Sequence, residues 1–287
     1  MVVEYIPLAV AFTGTTIAAI WDLKTTEVPD QLLYVMIAFG LLFNGYLSIA
    51  EGSYWPVLWS LIYGLGFLAF GGFMYYTGQW GGADSLILSS VGFILPFVPS
   101  VFSKTILPFP ISYLVNLFIV GAVYMLLYGL VYALRNRKVI FGFVKDLKAS
   151  MNILVMGSVG LFVLFYVGSV NITKLLYGSF DFERALYISV YPLLACFAMY
   201  IIWRFAKSIE SYGFRKKVPV SGLKVGDMLL GEKKLVGVTA EQIKSLKKSG
   251  KKYVDIKLGV PFAAAFPLAI LTTLFYGDLI FLLTRLF

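Results

Sequence analysis

Fifteen acids, one cysteine and no histidine are what this 287-residue chain offers for chemistry. Without histidine there is no Ser-His-Asp or Cys-His nucleophile and no His-Glu-x-x-His zinc site. Cys196 lies alone in an apolar run. It cannot close an intrachain disulfide, lacks partners for a thiolate metal site, and reads as a small core residue. No cofactor and no metal is expected, so carboxylates are left. Most sit in loops, but four lie beside apolar runs: Asp22, Glu27, Asp30, and Asp84 in Gly78-Gln79-Trp80-Gly81-Gly82-Ala83-Asp84. Two aspartates about 3 Å apart cannot both ionise and share a proton. The ionised one can take a proton from water while the protonated one donates to a carbonyl oxygen. Together they cleave an amide without metal or covalent intermediate. Gly81 and Gly82 lack Cβ, so the backbone before Asp84 can take unusual angles and approach a peptide closely. The same residues also fit an ordinary interfacial turn with Asp84 as helix N-cap, and Asp22 fits an interfacial anchor.

The elements that must position these acids are membrane helices. Hydrophobic residues make up 60% of the chain and charged residues 14%, against about 25% in soluble domains. So few charges cannot cover the surface of a soluble domain this large. Runs near the 20 or so apolar residues that a span needs occur at Tyr5–Trp21, Gln31–Ala50, Trp55–Tyr76, Ser85–Phe102, Ile111–Leu134, Asn152–Val170, Ala185–Phe205 and Val260–Phe287. The fourth is interrupted by Pro96 and Pro99, and the last carries Pro261, Pro267 and Asp278. The expected fold is an all-α polytopic membrane protein of about eight transmembrane helices, six to eight in range, with a small α+β cytoplasmic insert. The first run lacks a basic leader and a small-residue cleavage site, so it reads as a retained helix.

The domain division expected is 1–206 for seven helices with both aspartates, 207–259 for a basic soluble module, and 260–287 for a C-terminal span. The module holds 13 lysines and arginines against five acids, which leaves it +8 of the chain's +9. Such charge reads as a solvated, positive-inside surface or as a docking surface for anionic lipid or substrate. Nucleic acid is not expected. Thr239 with Gln242 forms a capping box for a short helix to about Lys248, stopped by Gly250. Tyr253–Lys257 alternates as a strand, and Val218-Pro219-Val220 suggests another. The basic loop Arg135–Lys148 and the module both belong in the cytoplasm, which puts the Asp22 and Asp84 ends there too. A re-entrant fourth segment would upset that parity. Asp278, about 18 residues past Val260 and so about 27 Å along a helix, falls far from the aspartates as an anchor or packing group. Trp80 and other aromatics at span ends read as an interfacial belt.

Trp21-Asp22-Leu23-Lys24 through Glu27-Val28-Pro29-Asp30, followed by Gly81-Gly82-Ala83-Asp84, resembles the two catalytic blocks of archaeal preflagellin peptidases and the wider type IV prepilin peptidase family, Gly-x-Gly-Asp membrane aspartyl proteases. The resemblance covers residues 20–90, and Gly259-Val260-Pro261-Phe262 resembles the start of the last helix in archaeal members. Ala83 stands where the motif name has glycine. The resemblance implies that Asp22 and Asp84 are the catalytic pair and that flagellin- or pilin-like precursors are substrates. It implies cleavage at the cytoplasmic membrane boundary, after a basic leader, with the substrate unwinding near Gly81 and Gly82. Without a cysteine-rich domain, N-methylation is not expected. Weaker supporting residues are Lys24, to stabilise a carbonyl or to snorkel to the interface, and Asp30, which also reads as an N-cap. Glu27 reads as a solvated loop acid.

Two other readings stay open. A presenilin-like enzyme would place its aspartates at mid-membrane and cut within the bilayer. A transporter or assembly factor would use internal carboxylates as a proton relay and more often show repeated halves.

Overall fold

The computed structural model describes residues 3–99, 101, 104–179, 181–223, 225–230, 237–257 and 259–283. Residues 100, 102, 224, 231–236, 258 and 284–287, parts of the fourth run, the basic module and the last run, lie outside them. The chain divides into two compact units, 1–125 with 216–287, and 126–215.

The first unit contains helices α1 (Ile6–Thr25), α2 (Asp30–Ala50), α3 (Trp55–Tyr76) and α4 (Gly82–Ile94), and the start of α5 (Phe109–Arg135). It closes with α10 (Ala265–Tyr276) and α11 (Leu279–Leu283). Among the described residues, helices α1, α2, α3 and α5, with α7 (Met151–Tyr177) and α8 (Phe182–Ser208) of the other unit, are the six long and apolar enough to cross a membrane. This is the all-α polytopic architecture expected from composition. The fourth and eighth runs are different. Their helices have 13 and 12 residues, about 20 and 18 Å at 1.5 Å per residue, short of a bilayer core of about 30 Å.

Helix α4 is short because Pro96 bars the preceding residue from helical angles, and Leu95 leaves the helix at φ −118°. The carbonyl of Phe93 then has no helical partner. Ser60 Oγ donates to it at 2.6 Å and Asn44 Nδ2 at 3.0 Å. Inside a membrane an unpaired carbonyl costs several kcal/mol, so such side chains are needed. Further hydroxyls stitch α4 to α3: Ser85 Oγ donates to Gly71 O at 2.6 Å and Ser89 Oγ to Gly64 O at 3.0 Å. Small residues let the backbones meet, as is usual between membrane helices.

The break after α10 is satisfied the same way. Gly277, at φ 72°, ends the helix. Asn116 Nδ2 donates to Gly277 O at 2.7 Å and to Thr273 Oγ1 at 2.9 Å, and Asn116 Oδ1 accepts from Leu279 N at 3.0 Å. The buried Asp278 accepts from the Ile106 and Leu107 N–H groups. Asp278 thus caps a loop from within the protein, and the last apolar run is two helices.

In the same unit, strands β1 (Arg215–Pro219), β2 (Met228–Leu229) and β3 (Tyr253–Lys257) form a sheet in the order β1-β3-β2. Met228 pairs antiparallel with Lys257, and Leu229 with Ile256. Helix α9 (Ala240–Lys248) starts at the expected box: Thr239 N–H donates to Gln242 Oε1 at 2.9 Å, and Gln242 N–H to Thr239 Oγ1 at 3.3 Å. Val220, Leu223, Val238, Ile243 and Ile256 give the module its own core.

The second unit holds the end of α5 with α6 (Arg137–Ala149), α7 (Met151–Tyr177) and α8 (Phe182–Ser208). The basic stretch read as a loop is helix α6. Val139, Phe143 and Leu147 recur among the lysines at helical spacing, and Asn136 Oδ1 caps the helix through Lys138 N–H. Arg204 donates to Asp146 O and Ser150 Oγ, both at 2.8 Å, and so fixes the α6–α7 junction to α8.

A Cβ on Gly40 would stand 2.7 Å from the Phe93 carbonyl carbon, whereas one on Gly45 meets nothing. Backbone cannot rotate aside, so Gly40→Ala should cost about 1–3 kcal/mol. Gly45→Ala should be neutral or gain up to about 1 kcal/mol of helix propensity. Thermal unfolding in detergent should show a lower Tm for the first alone.

Candidate active site

Helix α1 buries Ala11, Gly14, Thr15, Ala18 and Asp22, one face at three- and four-residue spacing. Its neighbours Trp21, Leu23 and Lys24 are exposed. Asp22 is thus the last residue of a packing face of small side chains, in the final turn of the helix. At 8% exposure its carboxylate is taken out of solvent, which is costly unless donors replace water. The donors come from 241 residues further along: Ala263 N–H donates to Asp22 Oδ2 at 2.9 Å, and Phe262 N–H also bonds the carboxylate.

Asp84 is the third residue of α4 and is partly buried. Its Oδ2 accepts from Gly81 N–H at 2.9 Å, the N3 half of a capping box. Asp84 is thus not the N-cap residue expected: Gly81 takes that position, and the Asp84 side chain reaches back to it from the first turn. Asp22 exerts a Coulomb interaction on Asp84. Helices α1 and α4 pack against each other, and the two carboxylates, 62 positions apart in sequence, come from the C-terminal turn of α1 and the N-terminal turn of α4, near enough to act on each other electrostatically.

The other expected residues fall around this pair unequally. Gly81 and Gly82 are exposed beside Asp84. Gly81 has φ −75° and ψ 161°, angles open to any residue, so the contribution of these glycines is open space rather than unusual backbone. A Cβ on Gly82 would meet only Tyr75 Cε2, at 3.8 Å. Lys24 is exposed, and two residues along a helix put it about 200° around α1 from Asp22. Asp30 is exposed as the first residue of α2. Pro29 takes the N-cap position, and no side chain caps this helix. Glu27 is exposed, as expected for a loop acid. Among the described residues no group of three or more acids or thiols could hold a metal ion.

Trp80 is half-buried in an aromatic cluster. Its ring lies 5.9–6.1 Å from those of Phe118, Phe262, Phe70 and Phe266. This cluster ties the turn before Asp84 to the segment that donates to Asp22. The sequence reading saw Gly259-Val260-Pro261-Phe262 only as a helix start. Its link to Asp22 runs through backbone N–H groups, which leave no mark in residue type.

Residues 9–130 match the model of the type IV leader peptidase family. That stretch is less than half of the chain, so the likeness to the family is one of its N-terminal part. Both aspartates lie in the matched stretch, and the donor segment 262–263 lies outside it. A prepilin peptidase of Methanothermobacter thermautotrophicus is 28% identical over 138 residues, 45% of this chain and 36% of the relative. A preflagellin peptidase of Methanocaldococcus jannaschii is 35% identical over 83 residues, 29% of this chain and 35% of the relative. A preflagellin peptidase of Methanococcus voltae is 33% identical over 91 residues, 32% of this chain and 39% of the relative. The chain thus covers little more than a third of the length of each of these three relatives.

A Cβ on Gly259 would lie 4.0 Å from Thr26 Cβ, within the roughly 3.5–4.5 Å that a disulfide needs. Both positions are exposed. Thr26→Cys with Gly259→Cys, in a Cys196→Ser background, should cross-link under mild oxidation, as seen by a mobility shift reversed by dithiothreitol. Failure to cross-link would contradict the placement of this segment against the end of α1.

Proposed function

We propose that this chain is a membrane aspartyl endopeptidase that removes the short basic leader of preflagellin- or prepilin-like precursors. The observation that carries this reading is the meeting of Asp22 and Asp84, with Asp22 desolvated and held by backbone donors. The match of residues 9–130 to the type IV leader peptidase family and the printed names of the relatives point the same way.

In the proposed reaction a water lies between the two carboxylates. The ionised one takes its proton as the oxygen attacks the scissile carbonyl. The protonated one donates to the carbonyl oxygen and later helps the amine to leave. The exposed Gly81–Gly82 turn gives an extended substrate room to approach beside Asp84. Asp22 and Asp84 lie in terminal turns of their helices, which suits cleavage at a membrane boundary better than cleavage at mid-bilayer. The basic content of the 207–259 module favours the cytoplasmic face for that boundary. The substrate then presents a basic leader there, ahead of an apolar helix.

Asp22→Asn and Asp84→Asn keep shape and remove the titrating group. Each should lower the rate of precursor cleavage in isolated membranes by at least about a hundredfold, at unchanged expression, since one acid or base contributes about 10²–10⁴. Cleavage that survives either change would remove that residue from the mechanism. A wild type that cuts no such precursor would favour a transport or assembly role.

A further inference from the structure

The geometry points to Tyr124 as a positioning residue for the Asp22 carboxylate, acting through the Pro261–Ala263 segment. The inference rests on the peptidase reading above. It concerns a part of the chain outside the matched residues 9–130.

The segment approaches α1 with no regular secondary structure before α10 begins, so neither helix nor sheet fixes its course. What holds it is α5. Tyr124 Oη donates to Pro261 O at 2.8 Å. One turn earlier, Gly121 leaves a notch for the Phe262 ring, where a Cβ would stand 2.8 Å from Phe262 Cζ. The ring is closed in by Trp80 at 6.0 Å and Phe266 at 5.8 Å. Pro261 is thus held by its carbonyl and Phe262 by its ring, and the next two N–H groups in the chain, those of Phe262 and Ala263, donate to Asp22. The Pro261 carbonyl and the Phe262 N–H belong to one planar peptide group, so the Tyr124 contact and the first of these N–H groups are rigidly joined. The path from the Tyr124 hydroxyl to the Asp22 oxygen is therefore two hydrogen bonds joined by a short restrained piece of chain.

The functional consequence follows from how steeply catalysis depends on placement. A carboxylate that must meet both a water and a carbonyl loses about a hundredfold for a displacement near 1 Å. Acting on Asp22 through the Pro261 carbonyl, Tyr124 should on removal affect turnover rather than binding. Trp80 belongs to the same device. It precedes the Gly81–Asp84 turn and packs on Phe262, so one aromatic contact relates the supports of both carboxylates.

The test is Tyr124→Phe in the full-length protein, which keeps the ring and deletes the hydroxyl. With a precursor substrate, kcat should fall by about tenfold or more while KM stays within about twofold. A second readout needs no cleavage: placed in the Thr26→Cys/Gly259→Cys/Cys196→Ser background, Tyr124→Phe should slow cross-linking severalfold. Gly121→Ala, which pushes on the Phe262 ring, should move both readouts in the same direction. If Tyr124→Phe keeps kcat and cross-linking rate and changes only Tm, its role is purely structural and the inference fails. Slowed cross-linking with unchanged kcat would equally overturn the link to catalysis. Wild-type protein that cuts no precursor would overturn the peptidase reading and this inference with it.

Discussion

A carboxylate withdrawn from water in an apolar bundle must be given donors, and meeting that need at Asp22 organises the first unit. Helix α1 cannot supply them, because its own N–H groups are spent along the helix. The chain therefore returns, after the small sheet-and-helix module, to lay Phe262 and Ala263 against the end of α1. Tyr124, Gly121 and the Trp80 cluster are the fittings that hold it there. Without that return Asp22 would be an unpaired buried charge, which costs far more than a lost surface contact.

The same demand for internal satisfaction shapes the two short helices. Helix α4 ends inside the bundle because Ser60 and Asn44 receive its orphaned carbonyl. Helix α10 can break at Gly277 because Asn116 pairs with the groups the break releases. A short helix places its first turn without having to reach the opposite interface. For α4 that first turn carries Asp84; for α10 it follows directly on the Asp22 donors. The helix that carries Asp84 and the helix that follows the Asp22 donors are thus shorter than α1, α2, α3 and α5.

Much of this was legible in the residues. Long apolar runs marked the six long helices, since nothing but a closed backbone survives in lipid. The Thr239–Gln242 box marked α9, and alternation marked β3. Other signals were read too broadly. Pro96 was recognised as a breaker, yet the fourth run was carried on to Phe102 because hydropathy does not register where a helix ends. The charge of residues 135–148 hid the apolar stripe of α6. Asp30 was expected to cap α2, but the extended angles of Pro29 take that position and leave Asp30 as the first helical residue. At the candidate site the two acids and two glycines could be named from spacing and resemblance. Their support could not, because it consists of main-chain donors, one tyrosine hydroxyl among 19 tyrosines, and aromatic contacts between distant residues.

The Asp22 donors are peptide N–H groups, and this makes them nearly invisible to ordinary mutagenesis. Position 263 is already alanine, and Phe262 truncated to alanine would still donate. A side-chain scan of the segment would read the Phe262 ring and nothing of the hydrogen bonds beneath it. What the chemistry of the site constrains here is register: how many residues separate β3 from α10, and whether the two amides arrive level with the carboxylate. The identities of those residues are free to drift while the link keeps its length, and a one-residue insertion or deletion would change more than any substitution.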